Sequence, residues 1–314
     1  YIDIVRKIIL DTKNHYADTL DCRSLWELVK IKIKEFSIFY SKQRAFRNKG
    51  IISAVEARLK EIDHLISDNN TNNNVLIEER NRLKTKMNQH YEIQARGYQV
   101  RSRAKWVEEG ERSTSYFMRL EKKRQIFNQI DSLKTETGDI VSNDLGILAH
   151  SVDFYRKLYS STNPDEIEME QYFENTHIEN VLSNEDRLIC EGPISIDECQ
   201  NAIKQLRDNK SPGIDGLPSE FYKTFLPEIE SLLVNSFNES FESGCLSHTQ
   251  KTSILSLIFK KTDRTQLKYY RPISLSTTDY KILAFILSNR LQKVITKLVS
   301  PDQTGCIKNR FIGT

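Results

Sequence analysis

The sequence predicts an α-rich α+β protein, in which a long antiparallel helical arm is followed by shorter helices and by a β-hairpin near the C-terminus. From Ser24 onwards, apolar residues recur at intervals of three and four, which is the helical period. The asparagine-rich segment 68–74 breaks this pattern before a second helical stretch begins. Between residues 254 and 275, two β-rich apolar segments flank a polar turn, which is typical of a hairpin.

Charge is unevenly distributed along the 314 residues, although the formal net charge is only +3. Lysine and arginine exceed acids from residue 30 to 124 and from 251 to 314, whereas acids dominate from 161 to 200. Two basic blocks of this kind indicate a polyanionic partner. Solvated helix faces account equally well for the first block. The length allows two or three domains.

The cysteine and hydropathy patterns argue against a zinc site and against a membrane-spanning segment. The five cysteines are scattered without a C-x-x-C pair, and no histidines stand at metal-binding spacing, so we expect no zinc site. An odd number of cysteines in a chain of this size favours reduced thiols inside a cell. No apolar run approaches 18 residues, so we expect no membrane span.

The helical arm is predicted from two long periodic stretches. The first runs from Ser24, where Ser24 and Glu27 form a capping-box pattern, to about Asp68, with Gly50 as a potential interruption. The second runs from about Val75 to Trp106. A short polar loop between two long helices predicts an antiparallel pair. The basic residues of the second helix do not share one face, so RNA binding and simple spacing between domains both stay open.

The segment after the arm is aromatic and basic. It carries Trp106, Tyr116 and Phe117 together with Arg112 and Arg119. Such residues stack on nucleobases in some proteins and pack into cores in others, and the sequence leaves both readings open. Gly110 ends the preceding helix, and Ser113 or Thr114 can cap the next one.

The following elements are predicted in order. Residues 126–134 and 139–141 read as a hairpin, and a helix capped by Asn143 runs from residue 144 to 159. Residues 163–190 read as an acidic linker with short helices. A capping box at Ser195 and Glu198 opens a helix that extends to about residue 207. Two more helices cover 219–225 and 228–242, and Ser243-Gly244 is a stop signal for the second.

The C-terminal hairpin carries the cations of greatest interest. Residues 254–258 read as a buried strand, with Lys260 and Lys261 at its end. Arg271 begins the return strand, which Pro272 restricts to an edge position. The planar arginine fork matches phosphate oxygens and lysine supplies a mobile point charge, so the pair of residue types suits a polyanion. A solvated basic hairpin tip has the same pattern.

Five motifs stand in a fixed order: K-S-P-G-I-D-G-L-P-S-E-F-Y-K-T-F (210–225), L-I-F-K-K (257–261), Y-R-P-I-S-L (270–275), D-Y-K-I-L-A-F-I-L-S-N-R-L (279–291) and Q-T-G-C-I-K-N-R (303–310). This order resembles the start of the polymerase domain in LINE-type non-LTR retrotransposon reverse transcriptases, encoded in their second open reading frame. Segment 105–122 is similar to the region upstream of that domain. The chain departs from the pattern at Ser276, Cys306 and Asn309.

The resemblance implies roles for individual residues. The triphosphate of the incoming nucleotide, or the template backbone, would contact Lys260, Lys261 and Arg271. Template RNA would meet two groups: Ser211, Pro212, Gly213, Asp215 and Gly216 in the first, and Gly305, Lys308 and Arg310 in the second. From the residues alone, Asp215 reads as a turn residue rather than a metal ligand.

The resemblance also implies an organisation and a reaction. The expected regions are a helical arm (1–104), a connecting helix and hairpin (105–160), an acidic linker (161–194) and the fingers of a right-hand polymerase (195–314), truncated before the palm. The parent enzyme would use Mg²⁺ to make DNA from deoxynucleotides on template RNA, with a DNA primer or target. We expect this fragment to bind no metal itself and to act in a cytoplasmic ribonucleoprotein and the nucleus. The alternatives are a non-catalytic, helix-rich nucleic-acid-binding remnant and a coiled-coil scaffold.

Overall fold

The computed structural model describes residues 1–68, 74–102, 114–161, 166–174, 181–300, 302–305, 307 and 310. In these ranges helices dominate, with two short two-stranded sheets. The first elements are α1 (Ile2–Tyr16), α2 (Cys22–Asp68), α3 (Asn74–Ser102), α4 (Thr114–Asn128), β1 (Leu133–Lys134), β2 (Ile140–Val141), α5 (Asp144–Tyr159), α6 (Glu166–Glu174), α7 (Asn184–Cys190) and α8 (Ile196–Gln205). They are followed by α9 (Ser219–Thr224), α10 (Leu226–Glu242), α11 (His248–Lys251), β3 (Ile254–Phe259), a 3₁₀ turn (Leu267–Tyr269), β4 (Tyr270–Leu275), α12 (Thr278–Gln292) and α13 (Ile295–Leu298).

The chain forms two compact units. The first comprises Tyr1–Ile38, Tyr155–Leu257 and Pro272–Thr314, and the second comprises Phe39–Phe154 and Ile258–Arg271. These units do not follow the boundaries expected at residues 104, 160 and 194. The first 38 residues, which the sequence places in the arm, pack in the same unit as the segment expected to form the fingers.

The first unit is built on a helical core. Its fully buried large side chains include Trp26, Ile203, Tyr222, Phe237 and Ile286, which come from five different helices. Helix α8 begins with the predicted capping box, in which Ser195 and Glu198 satisfy each other's backbone N–H groups, so this prediction is confirmed. Helix α10 ends at Glu242, with Ser243 as its C-cap and Gly244 next at φ +65°, so the predicted stop is confirmed.

A buried arginine fixes α12 inside the first unit. The guanidinium of Arg290 donates to both carboxylate oxygens of Glu198 at 2.7 Å and to the carbonyls of Gly192 and Pro193 at 2.8 Å. The hydrogen bonds from Arg290 lower the pKa of Glu198 to about 2. The start of α8 and the end of α12 are therefore held together by a bidentate ion pair.

Helix α2 differs from the prediction at its start. It runs without a break through Gly50 to Asp68, so the potential interruption is wrong. Its first turn is capped by Asp21, whose Oδ1 accepts the Ser24 N–H at 2.6 Å. The predicted capping box of Ser24 and Glu27 is wrong because Glu27 is engaged with residues far along the chain.

The antiparallel pairing of the arm is confirmed in the second unit. The Tyr91 hydroxyl donates to Glu56 at 3.2 Å and Arg80 pairs with Asp63 at 2.6 Å, so residue numbers rise on one helix as they fall on the other. Arg58 of α2 also makes a bidentate ion pair with a carboxylate of α3. These pairs are largely solvent-exposed and stabilise the arm only weakly.

The small hairpin of the second unit is shorter than predicted. Only Leu133–Lys134 and Ile140–Val141 pair, with Leu133 opposite Val141. The predicted strand from residue 126 is wrong over its first part because α4 continues to Asn128. The predicted helix α5 and its cap are confirmed, since Asn143 Oδ1 accepts the Gly146 N–H at 2.7 Å.

The C-terminal hairpin forms as predicted, but its first strand is not buried. Strands β3 and β4 pair, whereas Ile254, Leu255 and Ile258 are 44%, 38% and 54% exposed. The prediction of a buried strand is therefore wrong: an apolar run gives no information on whether a second layer covers it. Each helix in the described part of the chain is too short or too polar to span a lipid bilayer.

Candidate nucleic-acid interface

The tip of the C-terminal hairpin lies in the second unit and is a constrained turn. The Lys260 N–H donates to the Tyr269 carbonyl at 3.0 Å, which closes the loop between the strands. Inside the loop, Asp263 accepts hydrogen bonds from the Thr265 N–H and hydroxyl at 2.9 and 2.7 Å. These bonds, chiefly that from the Thr265 N–H, lower the pKa of Asp263. The loop is therefore ordered by its own side chains.

Three predicted cations surround this turn. Lys260, Lys261 and Arg271 are all exposed, and none makes an ion pair or side-chain hydrogen bond within the described part of the chain. A backbone hydrogen bond joins Lys260 to Tyr269 across the hairpin, and Arg271 is the second residue of the return strand β4. The cations are therefore available to a polyanion.

A fourth basic residue, Arg264, has a structural role that no sequence pattern indicates. Its guanidinium lies 4.2 Å from the Phe127 ring centroid and 4.7 Å from that of Phe259. It also donates to the Phe127 carbonyl at 2.6 Å, and the Tyr270 hydroxyl donates to the Arg264 carbonyl at 2.7 Å. Arg264 thus joins the loop to the end of α4 through cation–π contacts and a hydrogen bond.

The glycine-rich loop 209–218 lies in the first unit. Gly213 is required because a Cβ there would stand 2.5 Å from the Thr277 backbone nitrogen, and Gly216 adopts φ +78°. Ser211 is exposed and Pro212 is half-buried. The loop therefore packs its Gly213 backbone against the start of α12 and leaves Ser211 accessible.

Asp215 is the exception in this loop because its side chain is buried. Its Oδ1 accepts the Leu217 N–H at 3.2 Å, as expected of a turn residue. Its Oδ2 is buried and has no hydrogen-bond partner among the described residues. Burial, and next the negative charge of Asp279, raise the pKa of Asp215 to about 6. At neutral pH this carboxylate is charged in a place that disfavours charge.

Replacing Asp215 with asparagine is expected to raise the free energy of unfolding at pH 7 by about 1–3 kcal/mol. The folded-state pKa lies above the ordinary value of 3.8, so the folded protein binds more protons between these values. The stability of the unchanged protein therefore falls as pH rises from about 4 through about 6. Urea denaturation of both proteins across this range measures the difference.

The matched control for this prediction is Asp208→Asn, since Asp208 is half-exposed and pairs with Lys223 at 2.6 Å. It is expected to change stability by less than about 1 kcal/mol. An Asp215→Asn protein that is no more stable than the parent at pH 7 would contradict the buried-charge account.

A buried polar cluster holds α12 against α2 in the first unit. The Trp26 indole N–H and the Lys30 ammonium donate to Asp279 Oδ2 at 2.8 and 3.0 Å. Lys30 also bonds to Thr249 and to Glu27, whose carboxylate accepts the Ser247 hydroxyl at 2.5 Å. Lys30 and Asp279 are 2% and 0% exposed. Burial opposes ionisation of Asp279, but Lys30 and the hydrogen bonds outweigh it and lower the pKa.

The remaining residues predicted to contact template, near the C-terminus, differ in their surroundings. Arg310 donates to the carbonyls of Ser300 and Gln303 at 2.6 and 3.0 Å, so its guanidinium is engaged with the chain's own backbone. Gly305 has open space around it. Lys308 lies outside the described residues, as do Trp106 and Arg112.

The fit of a metal can be judged from the donors present. No group of three or more His, Cys, Asp or Glu side chains able to hold a metal ion occurs in the described ranges. Those residues therefore do not fit the Mg²⁺ site that the resemblance implies for the parent enzyme, and no step through a metal is assigned to them.

Comparison with known proteins finds a similarity to a transposon-encoded protein. No family model matches the chain. It is 31% identical over 287 residues, or 91% of its length, to the "Transposon TX1 uncharacterized 149 kDa protein" of Xenopus laevis. The chain spans 22% of the length of that relative. Over nine-tenths of its length the chain is thus similar to part of a transposon-encoded protein.

Proposed function

We propose that this chain is the N-terminal extension and fingers of the RNA-directed DNA polymerase of a non-LTR retrotransposon. The observation that carries the proposal is the set of three exposed cations, Lys260, Lys261 and Arg271, which lie around an ordered hairpin turn and have no ionic partner among the described residues. The five ordered sequence motifs and the similarity to a transposon protein support the same assignment.

The chemistry proposed for the tip is phosphate binding. Arg271 offers a planar set of N–H donors that fits two oxygens of one phosphate, and the two lysines add point charges beside it. Their ligands are the triphosphate of an incoming deoxynucleotide and the backbone of template RNA. The constrained turn limits the conformations of the tip, so less entropy is lost on binding.

The loop 211–216 is proposed to contact template through its backbone and Ser211, since Asp215 is buried. The catalytic Mg²⁺ and its carboxylates belong to the palm of the parent enzyme in this proposal. The partners are template RNA, a DNA primer or target, and deoxynucleotides, and the setting is a cytoplasmic ribonucleoprotein and the nucleus.

A second candidate, a non-catalytic nucleic-acid-binding remnant, is favoured by the exposed basic residues of the arm, including Lys84 and Lys86 on α3. Nucleotide binding distinguishes the two. A polymerase part binds a fluorescent deoxynucleoside triphosphate, and Arg271→Ala weakens that binding by about ten-fold or more, the effect of one charged hydrogen bond. A remnant binds RNA with no such dependence on Arg271.

The proposal as a whole is tested by RNA binding as a function of salt. Phosphate contacts release counterions, so the affinity for single-stranded RNA is expected to fall with a log–log slope of about −2 or steeper for three contacts. Fluorescence anisotropy with a labelled oligonucleotide measures the slope. A coiled-coil scaffold is expected to bind no RNA at any salt concentration, and that result would contradict the proposal.

A further inference from the structure

An open cleft of about 470 Å³ lies within the second unit, beside the base of the hairpin loop. Its walls come from the β1–β2 turn, from α5 and from the 3₁₀ turn at Leu267–Tyr269. The end of β1 is joined to the hairpin loop by a backbone hydrogen bond of 2.7 Å from the Lys134 N–H to the Thr265 carbonyl. Two of the segments that form the cleft walls are therefore bonded to each other.

The charged groups of the cleft are mostly cationic. Lys134 and Lys268 are exposed on two of its walls, and neither forms an ion pair within the described residues. The Lys268 ammonium lies 5.1 Å from the Tyr269 ring centroid. His150 lies on α5, and Glu136, on the β1–β2 turn, is the acid of the lining. Two available ammonium groups against one carboxylate favour an anionic ligand.

The cleft also offers an aromatic surface and hydrogen-bonding groups. Phe154 of α5 is half-buried in the lining, one helical turn after His150. The hydroxyls of Thr135 and Thr137 and the amide of Gln266 lie on the other walls. The cleft volume falls in the range of about 300–1,000 Å³ that is common for small-ligand sites. Cations beside an aromatic ring are the combination that binds single-stranded nucleic acid.

We propose that this cleft binds one nucleotide of a single-stranded nucleic acid, with its phosphate at Lys134 and Lys268 and its base against Phe154. The inference rests on the proposed function, because it extends the nucleic-acid path from the hairpin tip to the β1–β2 turn. The site lies outside the five motifs that carry the sequence resemblance.

The test uses the whole chain and a labelled single-stranded RNA of about 12 nucleotides, within the site sizes of known single-strand binders. The double variant K134Q/K268Q is expected to weaken binding about ten-fold and to reduce the salt slope by about 1.4, the share of two phosphate contacts. The matched control is K122Q/K123Q, which removes two exposed lysines from α4 of the same unit and is expected to leave affinity within two-fold.

Phe154 is tested separately. Phe154→Leu is expected to weaken binding about five-fold or more, whereas Phe154→Trp, which keeps an aromatic face, is expected to retain affinity. The tryptophan variant, with folding checked by circular dichroism, separates loss of stacking from loss of structure. Equal affinity of the leucine and tryptophan variants overturns the placement of the base.

The outcomes distinguish the cleft from the hairpin tip. If K134Q/K268Q binds like its control while substitution of Lys260, Lys261 and Arg271 weakens binding, the cleft proposal is overturned and the proposed function stands. If the unchanged chain binds no RNA, both fail. Additive losses at the two places support two separate contacts on one strand.

Discussion

Replacing Asp279 with alanine is expected to lower the free energy of unfolding by about 3–5 kcal/mol, the usual cost of removing one partner from a buried ion pair. The Lys30 ammonium, which is 2% exposed, would keep its hydrogen bonds to Glu27 and Thr249 but lose the fully buried Asp279 carboxylate. The Trp26 indole would also lose its acceptor at 2.8 Å. Urea denaturation followed by tryptophan fluorescence and circular dichroism measures the loss.

Two further variants isolate the cause. Asp208→Ala removes a partly exposed ion pair with Lys223 and is expected to cost less than about 1 kcal/mol. The double variant Lys30→Met with Asp279→Leu removes both charges, so it is expected to be more stable than Asp279→Ala alone. If Asp279→Ala costs no more than Asp208→Ala, the buried cluster does not stabilise the first unit.

The stabilisation that Asp279 contributes is also expected to depend on pH. Its folded-state pKa lies below the ordinary value of 3.8, so its contribution is present above that value and is lost as pH falls through the folded-state pKa. The difference in unfolding free energy between the parent and Asp279→Ala should therefore shrink below about pH 4. A difference that stays constant down to pH 2 contradicts this assignment.

Local signals in the sequence predicted much of the secondary structure. The capping box at Ser195, the cap at Asn143 and the glycine at 244 each act over a few residues, and each is where the sequence places it. The antiparallel arm followed from a helical period interrupted by a polar loop. Such signals can be recognised in the sequence because the interacting groups are neighbours in the chain.

Long-range interactions account for the failures. Trp26 and Asp279 are 253 residues apart, and nothing in the sequence around Ser24 shows that Glu27 would leave its helix cap for Ser247. The exposure of Ile254 and Ile258 depends on whether another layer covers the hairpin. The anchoring of Arg264 on Phe127 likewise depends on where α4 ends. Residue type alone predicted cations at the hairpin tip. It did not distinguish Arg264, which contacts Phe127, from the cations that make no ion pair in the described part of the chain.

The second large expected effect concerns the tip itself. The triple variant K260Q/K261Q/R271Q is expected to weaken binding to single-stranded RNA by about 30-fold or more at low salt, since three phosphate contacts are removed. These side chains are exposed and make no ion pair in the described part of the chain, so stability is expected to change by less than about 0.5 kcal/mol. Anisotropy titrations measure the affinity, and circular dichroism verifies the fold.

The matched control is a variant with the same charge change elsewhere in the second unit. Lys84→Gln, Lys86→Gln and Lys122→Gln replace three exposed lysines of α3 and α4. Diffuse attraction to a basic protein would make the two triple variants equivalent. A specific role for the hairpin tip requires a much larger loss in K260Q/K261Q/R271Q than in this control.

The salt dependence of RNA affinity tests the central claim most directly. If Lys260, Lys261 and Arg271 hold phosphates, the slope of log affinity against log salt concentration becomes shallower by about 2 in K260Q/K261Q/R271Q relative to the parent chain. The control variant keeps the parent slope. Equal slopes for the parent and the hairpin variant would contradict the account, because they would place the phosphate contacts on other residues.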